Sequence, residues 1–100
     1  MCEVVFYLDK RERCPTEKFL DQLELRAKAK AEKYMEKLGE EGPYLPRPLA
    51  DVVRGKIREL RVRFGSNQYR FLYFFFGKEI VITHGFLKKS DRIPVGEIEL

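Results

Sequence analysis

The sequence predicts an α+β domain: an N-terminal strand, a helical segment, then a three-stranded antiparallel meander and a short C-terminal helix. Three observations predict it. A β-branched and aromatic run, Glu3 to Leu8, is followed directly by apolar residues at helical spacing. Three strand-like runs between Lys56 and Lys89 are separated by two tight turns. The chain of 100 residues, 44% of them hydrophobic, is the length of one small domain with a thin core. It contains no repeat, low-complexity tract or linker.

Glu3–Leu8 (EVVFYL) reads as the first strand and ends at a charged loop, DKRER. Cys14-Pro15-Thr16-Glu17 opens a helix, with Pro15 suited to the first helical position and Glu17 to the positive helix end. Phe19, Leu20, Leu23, Ala27, Ala31, Tyr34, Met35 and Leu38 fall three and four apart, which is one face. Lys18, Asp21, Lys28, Glu32 and Glu36 lie on the other. This periodicity fits one long helix and equally fits two helices broken near Leu23–Arg26. Gly39 and Gly42-Pro43 stop the segment.

Tyr44–Val53 (YLPRPLADVV) has two prolines in three positions and reads as an extended loop. In Lys56–Phe64, Leu60, Val62 and Phe64 alternate with Glu59, Arg61 and Arg63. Gly65-Ser66-Asn67 is a hairpin turn. Gln68–Phe76 carries six aromatics in the eight positions from Tyr69, which predicts a central strand buried on both faces. Gly77-Lys78 turns the chain into Glu79–Leu87. A polar loop follows, and Pro94 starts a final helix, Val95–Leu100.

The N-terminus lacks the pattern of a signal peptide, and no run reaches the ~18–20 apolar residues of a membrane span. These features predict a cytoplasmic chain with no membrane partner. Reduced thiols at Cys2 and Cys14 are the expected state there, with a Cys2–Cys14 disulfide left open. Neither cysteine belongs to a metal-binding cluster, so no metal and no cofactor are expected. Scarce Asn and Gln among abundant charges is a composition met in thermophiles.

The net charge of +4 is unevenly distributed. From Arg54 to Arg92 there are ten Lys/Arg against three acids, and elsewhere ten against thirteen. A basic sheet suits a phosphate-bearing partner; it also suits a sheet whose edges are blunted by solvated lysines. The sequence offers no Ser-His-Asp or Cys-His set, no glycine-rich phosphate loop and a single histidine, His84. The candidate chemistry is cationic: Arg61, Arg70, Lys88 and Lys89, with His84. RNA brings its own nucleophile, the 2′-OH, so such a set can position the backbone and stabilise a phosphorane without a metal. Arginine's planar fork matches that charge, and aromatics can stack on a splayed base. Arg58, Arg63, Tyr69, Phe86 and Arg92 are the candidate RNA contacts. Arg70 stands out because a charge set in a wall of aromatics must be paired or face a site. The plain alternatives are a solvated strand for Arg61, a structural histidine for His84 and a solvated loop for Lys88-Lys89.

Taken together, Glu59-Leu60-Arg61, Tyr69 to Phe75 (YRFLYFF) and His84 to Lys89 (HGFLKK) followed by Pro94 resemble the RelE/HigB toxin superfamily, most nearly its phage-derived HigB-like branch. Pro15, Phe19-Leu20-Asp21 and Leu23 are similar too, so the resemblance covers nearly the whole chain. It implies the toxin of a type II toxin–antitoxin pair, a ribosome-dependent mRNA endonuclease. The implied fold is a helical hairpin packed on a four-stranded antiparallel sheet. Implied partners are mRNA, the ribosome and a cognate antitoxin, expected to be a small helix-turn-helix protein. The family's basic sheet residues fall on Arg61, Arg70 and Lys88-Lys89. The C-terminal catalytic tyrosine of RelE has no counterpart, which leaves His84 and Glu59 as candidate bases. Two other classes stand beside the nuclease: a toxin of the same fold that inhibits a protein such as DNA gyrase, and an RNA-binding module that cuts nothing.

Overall fold

The computed structural model describes residues 2–88. They form one five-stranded sheet with two helices against one face. The elements are β1 (Glu3–Phe6), α1 (Pro15–Asp21), α2 (Leu25–Glu41), a 3-10 turn at Gly42–Tyr44, β2 (Ala50–Arg54), β3 (Ile57–Phe64), β4 (Asn67–Phe76) and β5 (Glu79–Leu87). Their order across the sheet is β1-β5-β4-β3-β2.

Two features correct the expected four-stranded antiparallel sheet. The stretch read as a loop contains a strand, β2, which pairs antiparallel with β3 from Ala50 opposite Leu60 to Val52 opposite Arg58. Pro46 and Pro48 mask it in the sequence, because both lie just ahead of the first paired residue and donate no amide hydrogen. The sheet is also mixed. β1 runs parallel to β5, with Val4 opposite Ile80 and Phe6 opposite Ile82. The chain leaves β1 at one edge, crosses the sheet through α1 and α2 to the far edge, and meanders back to lie beside β1. The expected C-terminal helix, Val95–Leu100, lies outside the described residues.

The helical segment is two helices. The amides of Gln22 and Leu23 bond back to the carbonyls of Phe19 and Leu20, which tightens the last turn of α1. Glu24 is extended (φ −55°, ψ 144°), and its carbonyl accepts the first α2 bond, from the Lys28 amide. The break has a packing cause. α1 lies on β5, whereas α2 lies across β1 and β3. Ala27, Ala31, Met35 and Leu38 line the buried stripe of α2. They meet Leu60, Val62, Phe71, Tyr73, Ile80 and Ile82 from the sheet. Burial of such side chains contributes roughly 1.5–3 kcal/mol each.

β4 is the central strand, and five consecutive residues, Tyr69 to Tyr73, are buried. Its odd residues face the helices and its even residues face away. β5 departs from simple alternation. Leu72 lies opposite His84, but Tyr73 lies opposite Ile82, so Thr83 is an extra, bulged residue. Its hydroxyl donates to the Leu72 carbonyl at 3.3 Å. The bulge puts Ile82 on the helix face and His84 on the opposite face. It also brings Gly85 beneath α1, where a Cβ would stand 2.6 Å from Phe71 and 2.7 Å from Phe19. Only glycine fits that approach.

No helix among the described residues is long and apolar enough to cross a membrane. Cys2 and Cys14 are free thiols.

Candidate functional site

The face of the sheet away from the helices is built in rows by strand register. One row runs Asp51, Glu59, Leu72 and His84 across β2, β3, β4 and β5. The next runs Arg61, Arg70 and Phe86. The third begins with Arg63 opposite Gln68. There the Lys88 amide donates to the Gln68 carbonyl at 2.8 Å, which carries Lys88 to the same end of the sheet.

The two arginines of the second row are adjacent like charges, which would repel. Glu59 offsets this. Its Oε2 accepts from Arg61 Nε at 2.7 Å, and its Oε1 lies 3.4 Å from Arg70 Nε. The second contact is a loose ion pair: neither Glu59 Oε1 nor Arg70 Nε completes a hydrogen bond among the described residues. Glu59 is 4% exposed and Arg70 6%, so the charges are largely removed from water. Burial lowers the Arg70 pKa below the ordinary arginine value, Glu59 opposes that shift, and Arg61 adds to it. The guanidinium nonetheless stays charged at neutral pH. Its remaining nitrogens bond along its own strand, Nη1 to the Tyr69 carbonyl at 3.3 Å and Nη2 to Gln68 Oε1 at 3.0 Å.

Asp51 extends the network. Its Oδ2 is 3.3 Å from Arg61 Nη2 and 3.0 Å from Arg47 Nε. Its Oδ1 accepts the Val52 amide at 2.8 Å. The Val52 hydrogen bond, then Arg47 and Arg61, hold the Asp51 carboxyl below the usual carboxylate value, against a smaller opposing effect of burial. The result is a chain of alternating charges, Arg47–Asp51–Arg61–Glu59–Arg70, that fixes two guanidinium groups side by side.

His84 lies one row away. Its Nδ1 is 3.0 Å from the Thr83 hydroxyl, and its ring stacks on Phe86 with centroids 5.8 Å apart. Phe86 is directly opposite Arg70. The bulge at Thr83 therefore brings the histidine and the aromatic onto the arginine face.

Of the candidate residues, the face gathers Arg61, Arg63, Arg70, His84, Phe86 and Lys88. Arg58 and Tyr69 are on the helix side instead. Arg58 pairs with Tyr73 in register and lies 5.8 Å from the Phe75 ring. Tyr69 is a core residue, edge-on to Phe19 at 5.9 Å, and its hydroxyl accepts from Asn67 Nδ2 at 3.2 Å. Lys89 and Arg92 lie outside the described residues. Asp51 and Gln68 join the face without being named among those candidates: Asp51 sits on β2, whose prolines give it the pattern of a loop, and Gln68 is placed by its pairing with Arg63. A glycine inside a strand pattern, Gly85, was the signal for the bulge.

The arrangement can hold a dianionic phosphate on a rigid pair of guanidiniums. The His84 imidazole lies one row away on the same face. No cluster of His, Cys, Asp or Glu among the described residues is placed to hold a metal ion.

A family model described as Phage derived protein Gp49-like (DUF891) matches residues 18–100. A search of curated proteins gave no match. The chain belongs to this Gp49-like family, a RelE-like toxin family.

Proposed function

We propose that this Gp49-like chain is the toxin of a type II toxin–antitoxin pair and cleaves mRNA on the ribosome without a metal. One observation carries the reading: two arginines in register on adjacent strands, Arg61 and Arg70, fixed by the shared carboxylate Glu59. In-line attack by a 2′-OH gathers negative charge on the phosphorane oxygens. Preorganised guanidiniums stabilise that charge without reorganising at the moment of reaction. His84, stacked on Phe86 across from Arg70, is the imidazole on this face and the residue proposed to move the proton. A HigB-like identity and a helix-turn-helix antitoxin belong to the same proposal.

The test is inducible expression in growing cells with mapping of transcript ends. Translation-dependent mRNA cleavage by the wild type, lost in Arg70→Ala, supports the nuclease. Intact transcripts and normal growth on wild-type expression would overturn it.

A second reading is favoured by Glu59. This buried carboxylate is committed to two arginines and is poorly placed to accept a proton, as a non-catalytic toxin would tolerate. Such a toxin would inhibit a protein target such as DNA gyrase. Growth arrest with DNA-damage signalling and intact mRNA would identify it.

A further inference from the structure

We infer that the cavity beside the arginine pair takes a guanine base, read by Arg63 and Gln68, next to the phosphate held by Arg61 and Arg70; this rests on the nucleic-acid reading of that face. The cavity encloses about 370 Å³ at the edge of β3, just before β2 begins. One wall is Arg61, Arg63, Gln68 and Arg70, and the other includes Tyr34 and Leu49. The Arg61 amide bonded to the Leu49 carbonyl at 2.7 Å ties the two walls together.

The hydrogen-bonding character of the first wall is fixed. Arginine donates and never accepts. Glutamine does both, but here its oxygen receives Arg70 Nη2 at 3.0 Å. A guanidinium has no acceptor, so the oxygen must be the atom facing Arg70, and the amide nitrogen is left to donate. Arg63 is directly opposite Gln68 in register, is exposed, and makes no side-chain hydrogen bond among the described residues. The wall therefore presents chiefly N–H groups. Among the bases, guanine carries two adjacent acceptors, O6 and N7, on one edge. Adenine sets an amino donor beside N7, which such a wall repels. Tyr34 supplies an aromatic ring for stacking, and the Lys30 ammonium, 5.6 Å from its centroid, adds positive charge.

The test is an amide NMR titration of the intact protein with guanosine 3′-monophosphate, adenosine 3′-monophosphate and inorganic phosphate. The guanosine nucleotide is expected to bind about tenfold or more tightly than the adenosine one, with shifts at Arg63, Gln68 and Tyr34. Gln68→Leu, at an exposed position, should bring the two nucleotides to near equality. Arg63→Ala should narrow the preference as well. Equal affinity for both nucleotides, phosphate binding as tightly as the guanosine nucleotide, no nucleotide binding, or a preference that survives both substitutions would each overturn the inference. Cleavage in cells is scored separately. Absence of cutting by the wild type counts against the nuclease reading alone, since the titration does not depend on cutting.

Discussion

Arg61 and Arg70 stand directly opposite one another on β3 and β4, and the Nε atoms of both are turned to the same carboxylate, Glu59, at 2.7 and 3.4 Å. A pair of like charges in register is unfavourable on its own. The buried acid makes it tolerable and fixes the spacing of the guanidinium groups.

If that spacing serves phosphate recognition, the shape of the cation matters as well as its charge. Arg70→Lys keeps the charge and loses the planar fork. Cleavage is expected to fall by about 10²–10³-fold, the usual effect of losing one preorganised donor to a transition-state oxyanion. Quantitative mapping of transcript ends after induction measures it. Cleavage within a fewfold of wild type would mean that Arg70 supplies charge alone.

The Glu59–Arg70 pair gives a stability prediction independent of activity. Glu59→Leu leaves the buried Arg70 facing the half-buried Arg61 with no acid between them and should destabilise the domain by about 3–5 kcal/mol. Glu59→Leu combined with Arg70→Leu removes both charges, and much of that loss should return. Urea unfolding of the single and double variants closes the cycle. A double variant as unstable as the sum of the singles would show that the pair is not coupled.

Gly85→Ala is expected to cost about 1–3 kcal/mol, because the added methyl overlaps two packed rings, Phe71 and Phe19. Phe71 is fully buried and Phe19 is only partly so, and Phe19→Leu opens room from the helix side. Thermal unfolding should show the substitution at Gly85 better tolerated in that background.

Asp51 sets a pH dependence. Its folded pKa lies below the unfolded one. The stability it contributes is therefore fully present above the ordinary carboxylate pKa of about 4 and is lost as the pH falls through the lower, folded value. Denaturation of wild type and Asp51→Asn should show a stability gap that is steady between pH 5 and 7 and closes below about pH 4. Asp9, lowered chiefly by the Arg13 amide, should titrate in the same direction from the opposite end of the molecule.

Much of the architecture was legible because its signals are local. The aromatic run Tyr69–Phe76 announces a strand covered on both sides, and alternation in Ile57–Phe64 sorts Leu60 and Val62 from Glu59 and Arg61. β2 was not legible: a strand of five residues behind two prolines has too few positions to show a period, and its pairing with β3 is a tertiary event. The direction of β1 was hidden for a similar reason, since nothing in EVVF records which strand will lie beside it. The arginines of the site could be named from the sequence, as could His84. Arg58 and Tyr69 differ because their environment depends on register. Arg58 is as basic as Arg61, and only pairing with Tyr73 shows that it belongs under the helices.

The single extra residue at Thr83 gives β5 two parities. Before it, even-numbered side chains turn toward the helices; after it, odd-numbered ones do. The length of the strand between the Gly77-Lys78 turn and His84 is thereby constrained in its parity. Deleting Thr83 would leave Ile82 and His84 consecutive and still on opposite sides; losing the bulge with every residue kept would instead exchange the two sides beyond it, driving His84 and Phe86 into the space kept clear by Gly85. In this fold the identity of the exposed chemistry is thus encoded by a count as much as by residue type.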